Sequence, residues 1–228
     1  MIYVGTSGFA YKEWKGSFYP EDLPQKDYLR YYASQLSTTE INNTFYRSPS
    51  AKTVAQWKDK VPDSFRFTLK MNRRVTHHRR LKDVEENLEW FQTGAAPLEE
   101  QLGCVLVQLP PYFKCDLERL KAFLDVSAEI FPMAFEFRHD SWFCDDTYCL
   151  LEDANQTLAV VEADDREAVR VLTGPLVYVR LRSSGYESGQ LEEWADWLGK
   201  LDRDALVYFK HEGQAPTLAL ELAELLKE

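Results

Sequence analysis

Cysteine is scarce in this chain of 228 residues, with only Cys104, Cys115, Cys144 and Cys149 and no Cys-x-x-Cys pair among them. Four thiols are too sparse for a disulfide scaffold at this length, and all four read as structural. Cys104 opens an apolar run and reads as core; Cys144 and Cys149 are near in sequence, but zinc or cluster ligation is the weaker reading. Histidine is equally rare, at four residues, which argues against a multinuclear zinc site. No Gly-x-Gly-x-x-Gly turn follows any candidate strand, which removes the usual mark of a dinucleotide-binding open sheet. No apolar run approaches the length of a bilayer-spanning helix. The opening Met1-Ile2-Tyr3-Val4-Gly5 lacks a basic stretch and a long apolar stretch, so neither a signal peptide nor a membrane partner is expected, and a cytoplasmic location is. Basic residues are outnumbered, 27 Lys and Arg against 37 Asp and Glu, for a formal charge of −10. Such a chain does not bind phosphate polymers or anionic membranes indiscriminately, so any phosphate contact must be local.

What is present is a globular composition, 45% hydrophobic and 28% charged, without repeats, low-complexity segments or linkers. The stretch Met133-Ala134-Phe135-Glu136-Phe137-Arg138 alternates apolar and polar residues, placing Phe135 and Phe137 on one face and Glu136 and Arg138 on the other. It reads either as an edge strand with a surface Glu–Arg pair or as a strand whose C-terminal end opens into a site, because His139-Asp140-Ser141-Trp142 follows. Seven more strand-like runs occur, at Ile2–Gly5, Thr38–Asn42, Phe65–Lys70, Cys104–Leu109, Thr157–Glu162, Leu176–Arg182 and Leu206–Lys210. Helical spacing marks Asp27–Leu36, Ala51–Lys60, Val84–Gln92, Leu117–Ala128, Thr147–Asn155, Leu191–Leu201 and Thr217–Leu226. Eight strands, each followed by a helical or helix-length segment, predict an α/β fold, one (β/α)8 barrel spanning residues 1–228, with a doubly wound sheet as the rival.

In such a barrel the apolar strand face packs on helices and the other face points inward. The inward set is then Glu40, Asn42, Thr68, Lys70, Gln108, Glu136, Arg138, Tyr178, Arg180, Tyr208 and Lys210, mostly near strand C-termini, where barrel active sites are built. Two loops add candidates. The aromatic loop with Tyr11, Trp14, Phe18 and Tyr19 is either functional or simply pinned by packing. Residues 72–82 hold five Lys or Arg and two His, and read as solvated surface or as an anion-contacting loop.

Several of these segments together carry a resemblance. Gly5-Thr6-Ser7-Gly8-Phe9 with Tyr11 and Trp14, Phe18-Tyr19-Pro20, Glu40-Ile41-Asn42-Asn43-Thr44-Phe45-Tyr46-Arg47, Thr76-His77, Gln108-Leu109-Pro110-Pro111-Tyr112-Phe113 and Glu136-Phe137-Arg138-His139-Asp140-Ser141-Trp142 occur in the right order over nearly the whole chain. They resemble the DUF72 (YecE-like) proteins. The resemblance implies a TIM barrel without a settled activity; likeness of that family to endonuclease IV and sugar-isomerase barrels is analogy of fold. This chain departs from the family pattern at Arg182-Ser183, where the family tends to His-Gly, and at Lys210-His211, where it tends to Asn.

The leading expectation is an enzyme acting on a phosphate-bearing substrate, such as a nucleotide, a nucleic-acid end or a sugar phosphate. Glu136 and Glu40 are the candidate general acid and base, with pKa values tuned apart, and His77 and His139 the candidate proton carriers. Lys70, Arg138 and Arg180 are expected to hold the anion, with Asn42, Tyr46, Gln108, Trp142 and Lys210 around the substrate. No organic cofactor is indicated; a single Mg2+ or Mn2+ on Glu40, Glu136 and Asp164 remains open. The alternatives are a non-enzymatic module for an anionic small molecule or nucleic acid, and a sugar hydrolase or isomerase built on the carboxylate pair.

Overall fold

Eight alternating segments form strands β1 (Ile2–Ser7), β2 (Thr38–Ile41), β3 (Arg66–Lys70), β4 (Leu102–Gln108), β5 (Met133–Glu136), β6 (Thr157–Glu162), β7 (Leu176–Leu181) and β8 (Asp204–Phe209). The computed structural model describes residues 1–210 and 213–227. Each strand pairs in parallel with the next, and β8 pairs with β1, so the sheet closes in chain order. Around it lie α1 (Tyr28–Gln35), α2 (Ala51–Lys58), α3 (Glu85–Ala95), α4 (Leu117–Ser127), α5 (Asp145–Asp153), α6 (Ser188–Gly199) and α7 (Ala215–Leu225). This is the (β/α)8 barrel that the strand pattern predicts. Among the described residues no helix is long and apolar enough to cross a membrane.

Alternation along each strand sorts the core into two parts. One face, with Val4, Phe67, Leu69, Val105, Val107, Phe135, Val179 and Val207, packs against the helices. The other fills the barrel with Tyr3, Cys104, Leu106, Ala134, Ala159, Val161, Tyr178, Leu206 and Tyr208. Apolar side chains therefore occupy the base and middle of the barrel, and polar ones are left for its C-terminal end.

Two departures from the sequence pattern have visible causes. The β6–β7 connection, expected to be helix-length, carries no helix. Arg166 instead forms a β-bridge with Ala163 and sends its guanidinium to the carbonyls of Phe137 (3.2 Å) and Arg138 (3.0 Å). Arg170 lies 4.2 Å above Trp194 and 5.0 Å above Trp197 of α6, which covers that flank of the barrel. The same Arg166 contacts explain why β5 ends at Glu136 rather than Arg138: those carbonyls serve a side chain and not a neighbouring strand.

The aromatic loop after β1 is pinned by packing. Trp14 and Tyr19 are buried, Tyr19 stacks on Tyr28 at 4.0 Å, and Phe18 meets Tyr31 and Tyr32 edge-on. Tyr32 of α1 then reaches between β1 and β2. Its hydroxyl accepts from Thr6 N (2.8 Å) and donates to Thr38 O (2.9 Å), bridging the ladder. Gly5 makes that approach possible, since a β-carbon there would lie 1.8 Å from Thr38 O and 3.0 Å from the Tyr32 hydroxyl. Gly5→Ala must push the strands apart or expel Tyr32. We expect it to lower stability by roughly 2–4 kcal/mol in urea unfolding, against under ~0.5 kcal/mol for Gly189→Ala, where no atom stands within 4 Å.

Candidate functional site

The polar residues predicted to point inward converge at the C-terminal mouth. β7 supplies Arg180, almost fully buried, whose guanidinium bridges two fully buried carboxylates. Its Nη2 donates to Glu40 Oε1 of β2 at 2.9 Å, and its Nη1 donates to Glu136 Oε2 of β5. The remaining carboxylate lone pairs are also used. Glu40 Oε1 accepts from Ser7 Oγ (2.8 Å) and Asn42 Nδ2 (2.9 Å), and its Oε2 from the Tyr178 hydroxyl (2.6 Å). Glu136 Oε1 accepts from Gln108 Nε2 (3.2 Å) and pairs with Arg138 at 2.5 Å; Arg182 stands 3.8 Å away. Below this layer Tyr178 and Tyr208 pack at 5.3 Å, with the Tyr208 hydroxyl joined to Thr38 (2.7 Å) and Thr68 (2.8 Å). The floor is thus a closed polar network, the condition under which buried charge is tolerable.

Burial alone would raise both carboxyls. For Glu136 the guanidiniums of Arg180, Arg138 and Arg182 outweigh burial and hold it down at about 2. For Glu40, Arg180, the Tyr178 hydroxyl, Lys70 and Ser7 do the same, and it too lies below the ordinary carboxylate range. Burial and the Glu40 charge push the Tyr178 phenol well up, so it stays a neutral donor. The expectation of two carboxylates tuned apart is therefore corrected. Both are lowered together, because one guanidinium serves them both.

The other predicted residues divide. Lys70 is half-buried, its ammonium 4.6 Å above the Phe45 ring. Burial and the nearby Arg180 lower it to about 8, against the opposing pull of Glu40 and Glu136. His77 packs on Phe45 (ring centres 4.9 Å apart), bonds Thr76 Oγ1 through Nδ1 (2.9 Å), and lines a cleft of about 330 Å3 with Gln108, Arg138 and Arg166. Burial, Lys70 and His78 hold its pKa down, so it is neutral at pH 7. Lys210 is on the exposed rim, and His211, its partner in the second departure from the family pattern, lies outside the described residues.

Three predicted residues do not join this cluster. His139 caps the short turn Asp140–Trp142, its Nδ1 contacting Ser141 Oγ (2.9 Å) and N (3.1 Å). Trp142, expected around the substrate, is fully buried: it stacks on Phe137 at 4.6 Å and donates to Phe113 O at 2.7 Å. It ties the loop after β5 to the loop after β4. Tyr46 is exposed and lines a separate groove with Arg47, Arg73, Arg74 and Trp90. The basic stretch 72–82 accordingly splits, with His77 in the cleft and Arg73 and Arg74 in that groove. Asp164 does not meet Glu40 and Glu136. It is exposed and accepts from Ser184 N at 2.7 Å, and among the described residues no group of three or more His, Cys, Asp or Glu converges to hold a metal. Tyr178 belongs to the inward set and Arg182 to the departures from the family pattern, both without an assigned role; the residues passed over are Ser7 and Phe45. Strand parity reveals Ser7, which shares a face with Tyr3; nothing in the sequence marks Phe45.

Removing the bridging cation would leave two buried carboxylates without it. Arg180→Met is expected to destabilise the fold by about 3–5 kcal/mol. The sign with pH follows from the lowered Glu136. Its stabilisation is complete above its ordinary value of 4.5 and is lost as pH falls toward about 2. That loss is on the order of 3 kcal/mol in the wild type. In Arg180→Met the carboxyl rises and this acid limb shrinks or reverses, which denaturant melts at pH 6, 4 and 2.5 would read.

The whole-chain comparisons agree with this architecture. Residues 3–228 match the family described as "Protein of unknown function DUF72". The chain is 28% identical over 172 residues to the UPF0759 protein YunF of Bacillus subtilis (strain 168), covering 72% of this chain and 58% of that protein. It is 28% identical over 144 residues to the UPF0759 protein YecE of Escherichia coli (strain K12), covering 63% and 50%. The chain thus spans half to three fifths of the length of these relatives. A DUF72 family protein (TM1631) from Thermotoga maritima MSB8 superposes with a TM-score of 0.83 at 30% identity, all of both chains covered. Another, from Enterococcus faecalis V583, shares the fold with a TM-score of 0.80 at 22% identity, covering 100% of this chain and 96% of that one. With its family matched from residue 3 to residue 228, the chain belongs to DUF72.

Proposed function

We propose that the mouth binds a small phosphate-bearing molecule, such as a nucleotide or sugar phosphate, and acts on it with Lys70 and His77 as the proton carriers. The observation that carries this reading is a surplus of donors. Arg138, Arg180 and Arg182 each hold a buried Nε–H with no acceptor among the described residues, while the oxygens of the two carboxylates beside them already accept from other donors. Orphaned guanidinium donors in a partly desolvated site are costly unless a ligand accepts from them, and their fork geometry suits phosphate. Lys70, Arg138, Arg180, Arg182 and Lys210 stand against Glu40 and Glu136, so the mouth is cationic in an acidic protein and suits a dianion.

An enzyme fits this mouth better than a passive binding module. Arginines suffice to hold an anion, whereas Lys70 sits beside them lowered to about 8 by burial and Arg180, with the His77 imidazole packed on the same Phe45 ring.

Titration calorimetry with inorganic phosphate, a sugar phosphate and the matching free sugar tests the binding step. Phosphate compounds are expected to bind and the free sugar not, with affinity falling steeply between 50 and 300 mM salt, concentrations chosen to bracket strong and weak screening. Arg138→Ala and Arg182→Ala should each weaken binding by about tenfold or more, the scale of one charge-assisted hydrogen bond. Equal binding of the free sugar and its phosphate would overturn the phosphate reading.

A further inference from the structure

Among the described residues Lys70 is a cation of the mouth that its carboxylates do not hold. Arg180 takes Glu40 and Glu136, Arg138 takes Glu136, and Arg182 stands 3.8 Å from Glu136. Ser7, Asn42, Tyr178 and Gln108 also donate to these carboxylates. Lys70, at the C-terminal end of β3 and two residues past the inward Thr68, has no ion pair and no side-chain hydrogen bond among the described residues. Its amine lies on the face of Phe45, a position fixed by an aromatic wall rather than by a counter-ion. The charged groups facing it are Arg180 and Lys210, which disfavour the ammonium, and Glu40 and Glu136, which favour it but are shared with the arginines. His77, neutral and packed on the same Phe45, is the adjacent proton carrier.

A lysine that is half-desolvated, crowded by other cations and free of a carboxylate partner is the arrangement in which a primary amine acts as a nucleophile. We infer that Lys70 condenses with the carbonyl carbon of an aldehyde or ketone that also carries a phosphate, and that the phosphate docks on Arg138 and Arg182. This inference rests on the anion-binding reading of the mouth and names the substrate class.

The chemistry balances without a further reagent. The lone pair of the neutral Nζ attacks the carbonyl carbon, a C–N bond forms, and the C=O π pair moves to oxygen, which takes a proton. The resulting carbinolamine loses that oxygen as water, whose two hydrogens balance the two lost from nitrogen, and a C=N bond remains. Its protonated form withdraws electrons from the neighbouring carbon, whose proton His77 is placed to accept. The expected reactions are therefore those that begin at a carbon next to a carbonyl: isomerisation, or cleavage and formation of the adjacent C–C bond.

The pH dependence follows from the same neighbours. The free amine grows as pH rises through about 8, so condensation speeds up between pH 7 and 9 and levels above.

Reductive trapping tests this. The protein is incubated with glyceraldehyde 3-phosphate and cyanoborohydride and mapped by peptide mass spectrometry, with phosphate binding measured in parallel by calorimetry. We expect a saturable adduct at Lys70, at least tenfold faster than at any other lysine, competed by inorganic phosphate, with its rate rising through pH 8. In Lys70→Arg the adduct disappears while phosphate binding is kept. If phosphate binds but Lys70 is trapped no faster than surface lysines, the nucleophile is overturned and the anion site stands. If glyceraldehyde without phosphate labels Lys70 equally fast and inorganic phosphate does not compete, the phosphate handle is overturned and the nucleophile stands. A Lys70→Arg protein that fails to fold leaves the wild-type selectivity and competition to decide.

Discussion

One guanidinium joins three strands. Arg180 of β7 reaches both Glu40 of β2 and Glu136 of β5, so strands far apart around the ring are tied across the barrel centre by two charge-assisted bonds. Burying two carboxylates and a guanidinium is expensive, and the arrangement is tolerable because every carboxylate oxygen finds at least one donor. Those donors exist because parity places Ser7, Asn42, Gln108 and Tyr178 on the same face as the charges. The network in turn holds Arg138 and Arg182 at the rim through Glu136, which is how a chain of net charge −10 keeps a cationic mouth.

The saturation that makes the floor stable also sets what it can do. A carboxylate held at about 2 by three guanidiniums stays ionised near neutrality, and its partner is lowered in the same direction. What remains available for chemistry stands one layer up. Lys70 and His77 rest on Phe45 and depend on the floor for their electrostatic surroundings without being consumed by it. In this reading the carboxylates position the mouth, the arginines receive the anion, and proton and bond exchange fall to the amine and the imidazole.

Much of this was legible in the sequence because a strand carries its facing in its periodicity. Alternation in Phe65–Lys70, Met133–Arg138 and Leu176–Arg182 predicted which residues look inward, and the closed barrel follows from eight such runs in βα order. The same parity extended one step further reveals Arg182. Loop residues carry no such period. Trp142 and Tyr46 lie in loops beyond strand ends, whereas Lys70 still belongs to β3, and of the two one turns under its loop to stack on Phe137 and the other turns away to a separate groove. Polar character likewise tells that Glu40 and Glu136 need partners, but not that a single arginine serves both, and that sharing decides the direction of their pKa values. The β6–β7 segment has the length of a helix without forming one, and the tertiary contacts of Arg166 and Arg170 hold it instead.

The mouth stands apart from the rest of the barrel in its internal consistency. Over most of the barrel pattern, packing and hydrogen bonding agree: apolar faces are buried, Tyr32 completes the β1–β2 ladder, and Trp142 satisfies its indole N–H. Away from the mouth the buried Gln101 Oε1 lacks a donor among the described residues, whereas at the mouth three arginine Nε–H groups go without acceptors and a lysine is held among cations with its charge disfavoured. Such a concentration of broken local rules marks a place where stability is given up for another purpose. Here the cost is mutual repulsion among cations and unsatisfied donors. Both would be relieved by the same event, arrival of the anion proposed for this site, so ligand binding would couple to stabilisation of the barrel mouth.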